Sequence, residues 1–469
     1  MTVSPPSTDS GIRRSSDRPR RLATRASHVL FGLFIVLALT NPSLTQGAVT
    51  WLPLLHLPDV DDGPVGLGPV ALLPALTVAA WGFSRWRDQP RRSWHWGAPL
   101  VTVPLAGFTV LTVLGLDPAL SHRTLVVVMM LLMMWGAFLF VVNEEPDLRP
   151  PVIAVLIIQG FVAVGQFALQ RDLGLQCLGE PVLDVQRSGI SVVSAGGRRW
   201  LRAYGLAGHP NLLGATLAAL LLLLLAETDA GRHVKRGLFT LSASAGMLGL
   251  VATFSRGAWL AFGVGLVSWI VRRTLHARHA DTSSHRRRRT SLRRLLQDYV
   301  HLVVPLALAS LLLALSYHLV VSRFFHLDSE IEAPSIEHRQ VDAGLAVRLI
   351  RQHPWSGVGA KNYLPAVRAI ESNSRTVHNV FLLTGAELGL PGALLWLWLT
   401  IAVLARPAPP TWPSWIVLSV AGLFDVAAHP TNNWFAAVLV GLTAAGAAIP
   451  RLRGSRRTAE PQPGTRQPA

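Results

Sequence analysis

Arginine and histidine, set among glycines and prolines, are the residues in this chain best suited to chemistry. Arg202 precedes Tyr204-Gly205 and then His209-Pro210-Asn211 at the head of an apolar run. Arg256 stands in the short turn Thr253-Phe254-Ser255-Arg256-Gly257, between two apolar runs. Arg339, Arg348 and Arg351 follow in a polar stretch that ends His353-Pro354-Trp355-Ser356-Gly357-Val358-Gly359. His378-Asn379 then opens the next apolar run. Guanidinium groups bind phosphate oxygens bidentately and stabilise a departing diphosphate. Imidazole titrates near neutral pH and can take a proton from a sugar hydroxyl. Several arginines and one histidine, without a clustered set of carboxylates, therefore suit an anionic lipid diphosphate. Glu330, Glu332 and Glu337 are spread out, and these loops hold neither a His-x-x-x-His nor an Asp-x-Asp pattern. No metal and no cofactor is expected.

Each candidate also has a plainer explanation. Arg256 either faces a cavity or snorkels to lipid phosphates. Arg348 and Arg351 suit a solvated helix face, and for Arg339 the sequence gives no preference. His378 is equally an interfacial or capping residue or a base. Asn211 can cap the run that follows it. Asp425, beside His429-Pro430, is a helix-end polar residue or a proton relay.

The elements that must position these residues are membrane spans. Half of the 469 residues are hydrophobic and only 15% are charged, against roughly a quarter charged in soluble domains. A bilayer core needs about 20 apolar residues per helix. That length predicts twelve spans, near 24–41, 65–83, 96–115, 124–142, 152–169, 211–226, 237–254, 257–272, 299–319, 378–404, 413–428 and 434–450. The net charge of +17 is distributed as the positive-inside rule requires, with Arg85, Arg87, Arg91, Arg92 and His285–Arg289 on one side. It signals orientation and contact with membrane lipids, not nucleic-acid binding. Both termini are expected in the cytoplasm, with external loops at about 170–210 and 319–377.

Outside the membrane domain, 26–450, residues 1–25 and 451–469 read as disordered basic cytoplasmic tails. A basic cytoplasmic loop spans about 272–298. The single cysteine, Cys177, excludes an intramolecular disulfide. Residues 337–352 predict an amphipathic helix with Leu345, Leu349 and Ile350 on its apolar side.

Taken together, these segments resemble the O-antigen ligase and O-antigen polymerase family of bacterial envelope glycosyltransferases. Arg202 through Pro210-Asn211 resembles the family's Arg-x-x-Gly and His-Pro-Asn element, and Ser255-Arg256-Gly257 its Ser-Arg-Gly turn. Arg339 with His353-Pro354 and Gly357-Val358-Gly359 resembles its Arg…His-Pro-x-x-Gly-x-Gly segment. His378-Asn379 with Glu387-Leu388-Gly389 resembles its His-Asn…Glu-Leu-Gly motif. One departure is Ala343, where an aromatic is common.

The resemblance implies an all-helical polytopic membrane fold of the lipid-sugar-dependent type. It implies transfer of a glycan from an undecaprenyl-diphosphate carrier to a glycan, lipid or protein acceptor, on the outer face of the cytoplasmic membrane and without a metal. In that family Arg256 and Arg339 would hold the diphosphate and His378 would serve the acceptor hydroxyl. Arg202, Arg348, Asn211 and Asn379 are further candidates for diphosphate or glycan contacts. A polymerase of the same family is the nearer alternative, and a lipid-linked glycan transporter or flippase the more distant one.

Overall fold

Long runs of Leu, Ala and Val, broken by Gly, Pro and Arg, favour helices wherever the backbone must satisfy its own hydrogen bonds. The computed structural model describes residues 9–40, 53–55, 65–66, 69–86, 93–118, 122–229, 234–282, 292–325, 332–406 and 411–449. In chain order its helices are α1 (Asp9–Ala38), α2 (Pro69–Trp86), α3 (Pro99–Leu114), α4 (His122–Glu144) and α5 (Arg149–Leu169). There follow α6 (Pro210–Asp229), α7 (Arg236–Ala252), α8 (Arg256–Thr282), α9 (Leu292–Leu315) and α10 (Tyr317–Phe325). The last five are α11 (Glu332–Gln352), α12 (Tyr363–Ile370), α13 (Val380–Leu404), α14 (Trp412–Gly422) and α15 (Trp434–Ala448).

The chain is a mostly helical membrane protein. Each of the twelve predicted runs overlaps a helix, but 299–319 crosses the break between α9 and α10 and 413–428 outlasts α14. By length and composition, five helices among the described residues are able to cross a bilayer, and six if the pair α9–α10, bent by 74°, is one broken span. Helix α6 lies at the centre. Its Leu-rich surface is 83% buried over the apolar window, and it packs against α5, α7, α8 and α14. A helix that is apolar all round must be covered all round.

Three boundaries differ from the sequence reading. Helix α1 begins at Asp9, so residues 9–25, expected as a disordered tail, are helical; Arg20-Arg21-Leu22-Ala23 is a run of strong helix formers that simply continues the span. The expected basic loop 272–298 shortens, because α8 runs to Thr282 and α9 starts at Leu292. Residues 1–8, 283–291 and 451–469 lie outside the described residues. The structure is also not purely helical. Strands β1 (Pro53–Leu55) and β2 (Val65–Gly66) pair antiparallel, as do β3 (Val192–Ala195) and β4 (Arg198–Leu201). The second hairpin turns at Gly196-Gly197, with φ of 58° and 71°. Only glycine takes two consecutive left-handed positions cheaply, and Gly-Gly between strand formers is a hairpin signal.

Candidate active site

Arg202 is held by the end of the β3–β4 segment, which hangs from α5. Two buried glutamines do the hanging. Gln166 Oε1 accepts from the N–H groups of Tyr204 (3.0 Å) and Gly205 (2.8 Å), and Gln159 Oε1 accepts from Leu206 N–H (2.8 Å). Gly205 has φ of 57°, which is why the motif needs glycine there. Arg202 is thereby buried, at 4% exposure. Its Nε donates to Thr253 O at 2.8 Å and its Nη2 to Asn211 Oδ1 at 2.7 Å. The Asn211 amide passes the connection on, donating from Nδ2 to Asp425 Oδ2 at 2.6 Å. Asp425 Oδ2 in turn lies 3.5 Å from His378 Nδ1. That imidazole nitrogen is buried and has no hydrogen-bond partner among the described residues. Arg202, Asn211, Asp425 and His378 therefore form one line of polar groups.

Beside this line sits a small cavity of about 30 Å³, bordered by Asn211, Asp425 and three arginines, Arg256, Arg323 and Arg339. Arg256 is the first residue of α8, and Ser255 Oγ accepts from Ala258 N–H (3.4 Å) just before it. Arg256 Nη1 donates to Arg323 O at 3.1 Å, and Arg323 Nε donates to Phe254 O at 3.4 Å. Main-chain carbonyls thus link Arg256 to Arg323 and Arg323 to the turn before α8.

Electrostatics describe the same excess of positive charge. Burial pushes Arg202 down to about 10, and the nearby guanidinium groups of Arg339 and Arg256 push the same way, against Tyr204 and Asp425. Arg339 is lowered by burial and by Arg256, with Asp425 opposing. His209 is pushed down to about 4, by burial first and Arg202 second. It is therefore neutral at pH 7. Its Nδ1 accepts from Asn211 N–H (3.2 Å), which leaves Nε2–H to donate to Ser191 Oγ (3.1 Å).

A docked loop sets the distance between Arg339, on α11, and His378, before α13. Pro391 has no N–H, so Glu387 O in α13 lacks its helical donor. The backbone at Gly389 turns to φ 70° and breaks the helix there. The loop after α11 fills the gap. Gly359 N–H donates to Glu387 O (2.9 Å), Val358 N–H to Ala386 O (2.9 Å), and Leu390 N–H donates to Pro354 O (2.7 Å). Close approach requires glycine on both sides. A Cβ on Gly357 would lie 2.3 Å from the Glu387 backbone, and one on Gly389 2.6 Å from the Trp355 backbone. Below this junction, Leu345, Ala346 and Leu349 of α11 pack on Tyr363, Val367, Leu383 and Ala386, with Ala343 at the edge.

Residues 239–397 match the family model described as O-antigen ligase. Over that segment the chain is similar to the O-antigen ligase family. Among curated proteins no match is found. The O-antigen ligase segment contains Arg256, Arg323, Arg339 and His378, whereas Arg202, Asn211 and Asp425 lie outside it.

Of the residues singled out in the sequence, the structure brings Arg256, Arg339 and Asn211 to one cavity. Arg202 stands one hydrogen bond behind, and His378 joins through Asp425. Arg348 is exposed on α11 and does not border the cavity. Asn379 caps α13, accepting from Leu382 N–H at 3.0 Å, and its Nδ2 donates to Leu423 O at 3.1 Å. Arg323 was not expected. Its only sequence sign is an arginine just beyond the span near 299–319, which a polar loop explains equally well. Among the described residues no group of three or more His, Cys, Asp or Glu is gathered as for a metal.

Proposed function

We propose that this membrane protein transfers a glycan from an undecaprenyl-diphosphate carrier to an acceptor hydroxyl on the outer face of a bacterial cytoplasmic membrane. The observation that carries the reading is a cavity bordered by three arginines and by Asp425, whose carboxylate lies 3.5 Å from His378. Guanidinium groups that lower one another's basicity favour an anion among them. The family supports a lipid-linked glycan as the source of that anion. The twelve-span layout, with both termini inside and no metal taking part, belongs to the same proposal.

The reaction is a single displacement. Arg256, Arg323 and Arg339 hold the diphosphate, with Arg202 fixing Asn211 and Asp425 behind them. The acceptor hydroxyl oxygen bonds to the anomeric carbon as the carbon–oxygen bond to the diphosphate breaks. The hydroxyl proton passes to His378, and the electron pair leaves on the diphosphate, where the arginines stabilise it. Asp425 facing Nδ1 leaves Nε2 as the nitrogen for the hydroxyl, and steadies the imidazolium once the proton arrives. The cavity has room for about two water molecules, so the arginine side chains must swing apart to admit a diphosphate.

The test is incubation of purified protein with an undecaprenyl-diphosphate oligosaccharide, scoring released undecaprenyl diphosphate and product size. A single addition to a foreign acceptor marks a ligase, and a ladder of products marks a polymerase. Carrier left intact under both conditions would sink the transferase reading and favour transport.

A further inference from the structure

A second and larger cavity, of about 470 Å³, borders the same segment at Thr376, two residues before His378. Cations from three elements line it: Arg123 at the start of α4, Lys361 in the docked loop, and Arg368 on α12. Among the described residues Glu387 is the one carboxylate in its lining, and it faces the backbone N–H groups of Lys361 and Tyr363. Asn432 completes the polar part, while Val126 and Met130 of α4 give an apolar wall. None of these residues is used by the transfer chemistry described above.

Lys361 is the residue that calls for explanation. The chain has 43 lysines and arginines, and only Lys235 and Lys361 are lysine. An arginine-rich sequence therefore places one of its two ammonium groups at this cavity. The residue also sits at φ 63°, a conformation that costs a non-glycine residue energy and that persists mainly at functional sites. Its Nζ makes two long contacts, 3.3 Å to Asn432 Oδ1 and 3.4 Å to Asn432 O. Three donors with so little bound leave capacity for a ligand. Burial lowers its basicity, Glu387 restores part, and Arg123 lowers it further.

We infer that this cavity is the acceptor-side subsite, where Lys361, Arg123 and Arg368 bind a phosphate or carboxylate group carried by an acceptor saccharide. The inference rests on the transferase reading for the word acceptor; the anion site itself does not. The volume falls within the usual range for a small-ligand pocket, about 300–1,000 Å³. Thr376 and Asn432 offer partners for sugar hydroxyls, and the segment of Thr376 leads from this cavity to His378 two residues on. The arginine cavity is left for the donor diphosphate.

The probe is pyridoxal 5′-phosphate, which forms an imine with a lysine near a phosphate site and is fixed by borohydride. Mass spectrometry of the full-length protein in detergent then reports Lys361 and Lys235 separately. The expected result is modification of Lys361 roughly tenfold faster by pyridoxal phosphate than by pyridoxal, as one or two charge-assisted contacts give. Glucose 1-phosphate should protect Lys361, and glucose should not. The double variant R123Q/R368Q should bring the two reagents to the same rate while Lys235 is unaffected; both arginines are exposed, so the fold should tolerate the change. Equal rates with the two reagents on the unaltered protein would overturn the anion site. Protection by phosphatidylglycerol nanodiscs with none from glucose 1-phosphate would overturn the saccharide assignment in favour of a lipid headgroup. Labelling needs no turnover, so its failure is distinct from a failure of glycan transfer.

Discussion

Asp425 Oδ2 lies 3.5 Å from His378 Nδ1 and 2.6 Å from Asn211 Nδ2, so one carboxylate oxygen joins the proposed base to the arginine side of the site. An aspartate so placed fixes which imidazole nitrogen meets the substrate and stabilises the cation formed on proton transfer. His378→Ala is expected to lower kcat for glycan transfer by about 10²–10⁴-fold, the usual worth of a general base. Asp425→Asn keeps the shape but removes the charge. It should lower kcat and leave the donor KM nearly unchanged. Steady-state assays on purified, monodisperse protein check both, and an unchanged kcat for Asp425→Asn would reduce the pair to a structural contact.

The three cavity arginines should respond differently from the exposed one. Arg256→Lys, Arg323→Lys and Arg339→Lys keep the charge but lose the fork that binds two phosphate oxygens at once. Each should cost about 10²–10³-fold in kcat, by analogy with the loss of one oxyanion-hole donor. Arg348→Gln should be close to neutral, because Arg348 faces solvent on α11. Release of undecaprenyl diphosphate is the measurement. Equal losses for Arg348→Gln and Arg339→Lys would mean that the cavity does not hold the diphosphate.

Arg256 and His378 were legible in the sequence because each is a lone polar group at the mouth of an apolar run, where burial demands a partner or a ligand. Their partners were not legible. Arg323 looks like any arginine past a span, and only the 74° bend between α9 and α10 turns it inward. Asn211 reads in the sequence as a cap or a substrate contact, yet its side chain joins Arg202 to Asp425; Asn379 reads as a substrate contact, yet it caps α13. Asparagine does either job at a helix start, and spacing along one chain cannot distinguish them. The β3–β4 hairpin is hidden for another reason: four-residue strands around Gly196-Gly197 are far shorter than the apolar runs that mark membrane spans.

Acid should destabilise the fold through its neutral buried histidines. His209 falls to about 4 and His429 to about 3, both mainly through burial. An unfolded histidine, with a pKa near 6.5, binds its proton first as pH falls. Between about pH 6.5 and 4 the unfolded state therefore holds more protons, and stability drops with falling pH. Each histidine contributes about 1.4 kcal/mol per pH unit in that window at most. Melting temperature measured from pH 8 to 5 should fall steadily below about 6.5. His429→Gln, which keeps bonding capacity toward Thr384 and Thr431, should flatten the slope.

The glycines of the docked loop should matter for stability before they matter for chemistry. Gly357 has φ of 63° and Gly389 of 70°, so alanine at either is strained by about 1–3 kcal/mol. The added Cβ would also meet backbone at 2.3 Å and 2.6 Å, and overpacking of that kind costs roughly another 1–3 kcal/mol. Neither backbone can retreat easily, because Gly359 N–H and Leu390 N–H bridge the same two strands of chain. Gly357→Ala and Gly389→Ala should each lower the melting temperature of detergent-purified protein by several degrees. Gly344→Ala, on α11 with nothing within 4 Å of the new Cβ, should leave it unchanged or raise it. If all three variants melted alike, the loop–helix junction would not be what holds Arg339 and His378 in register.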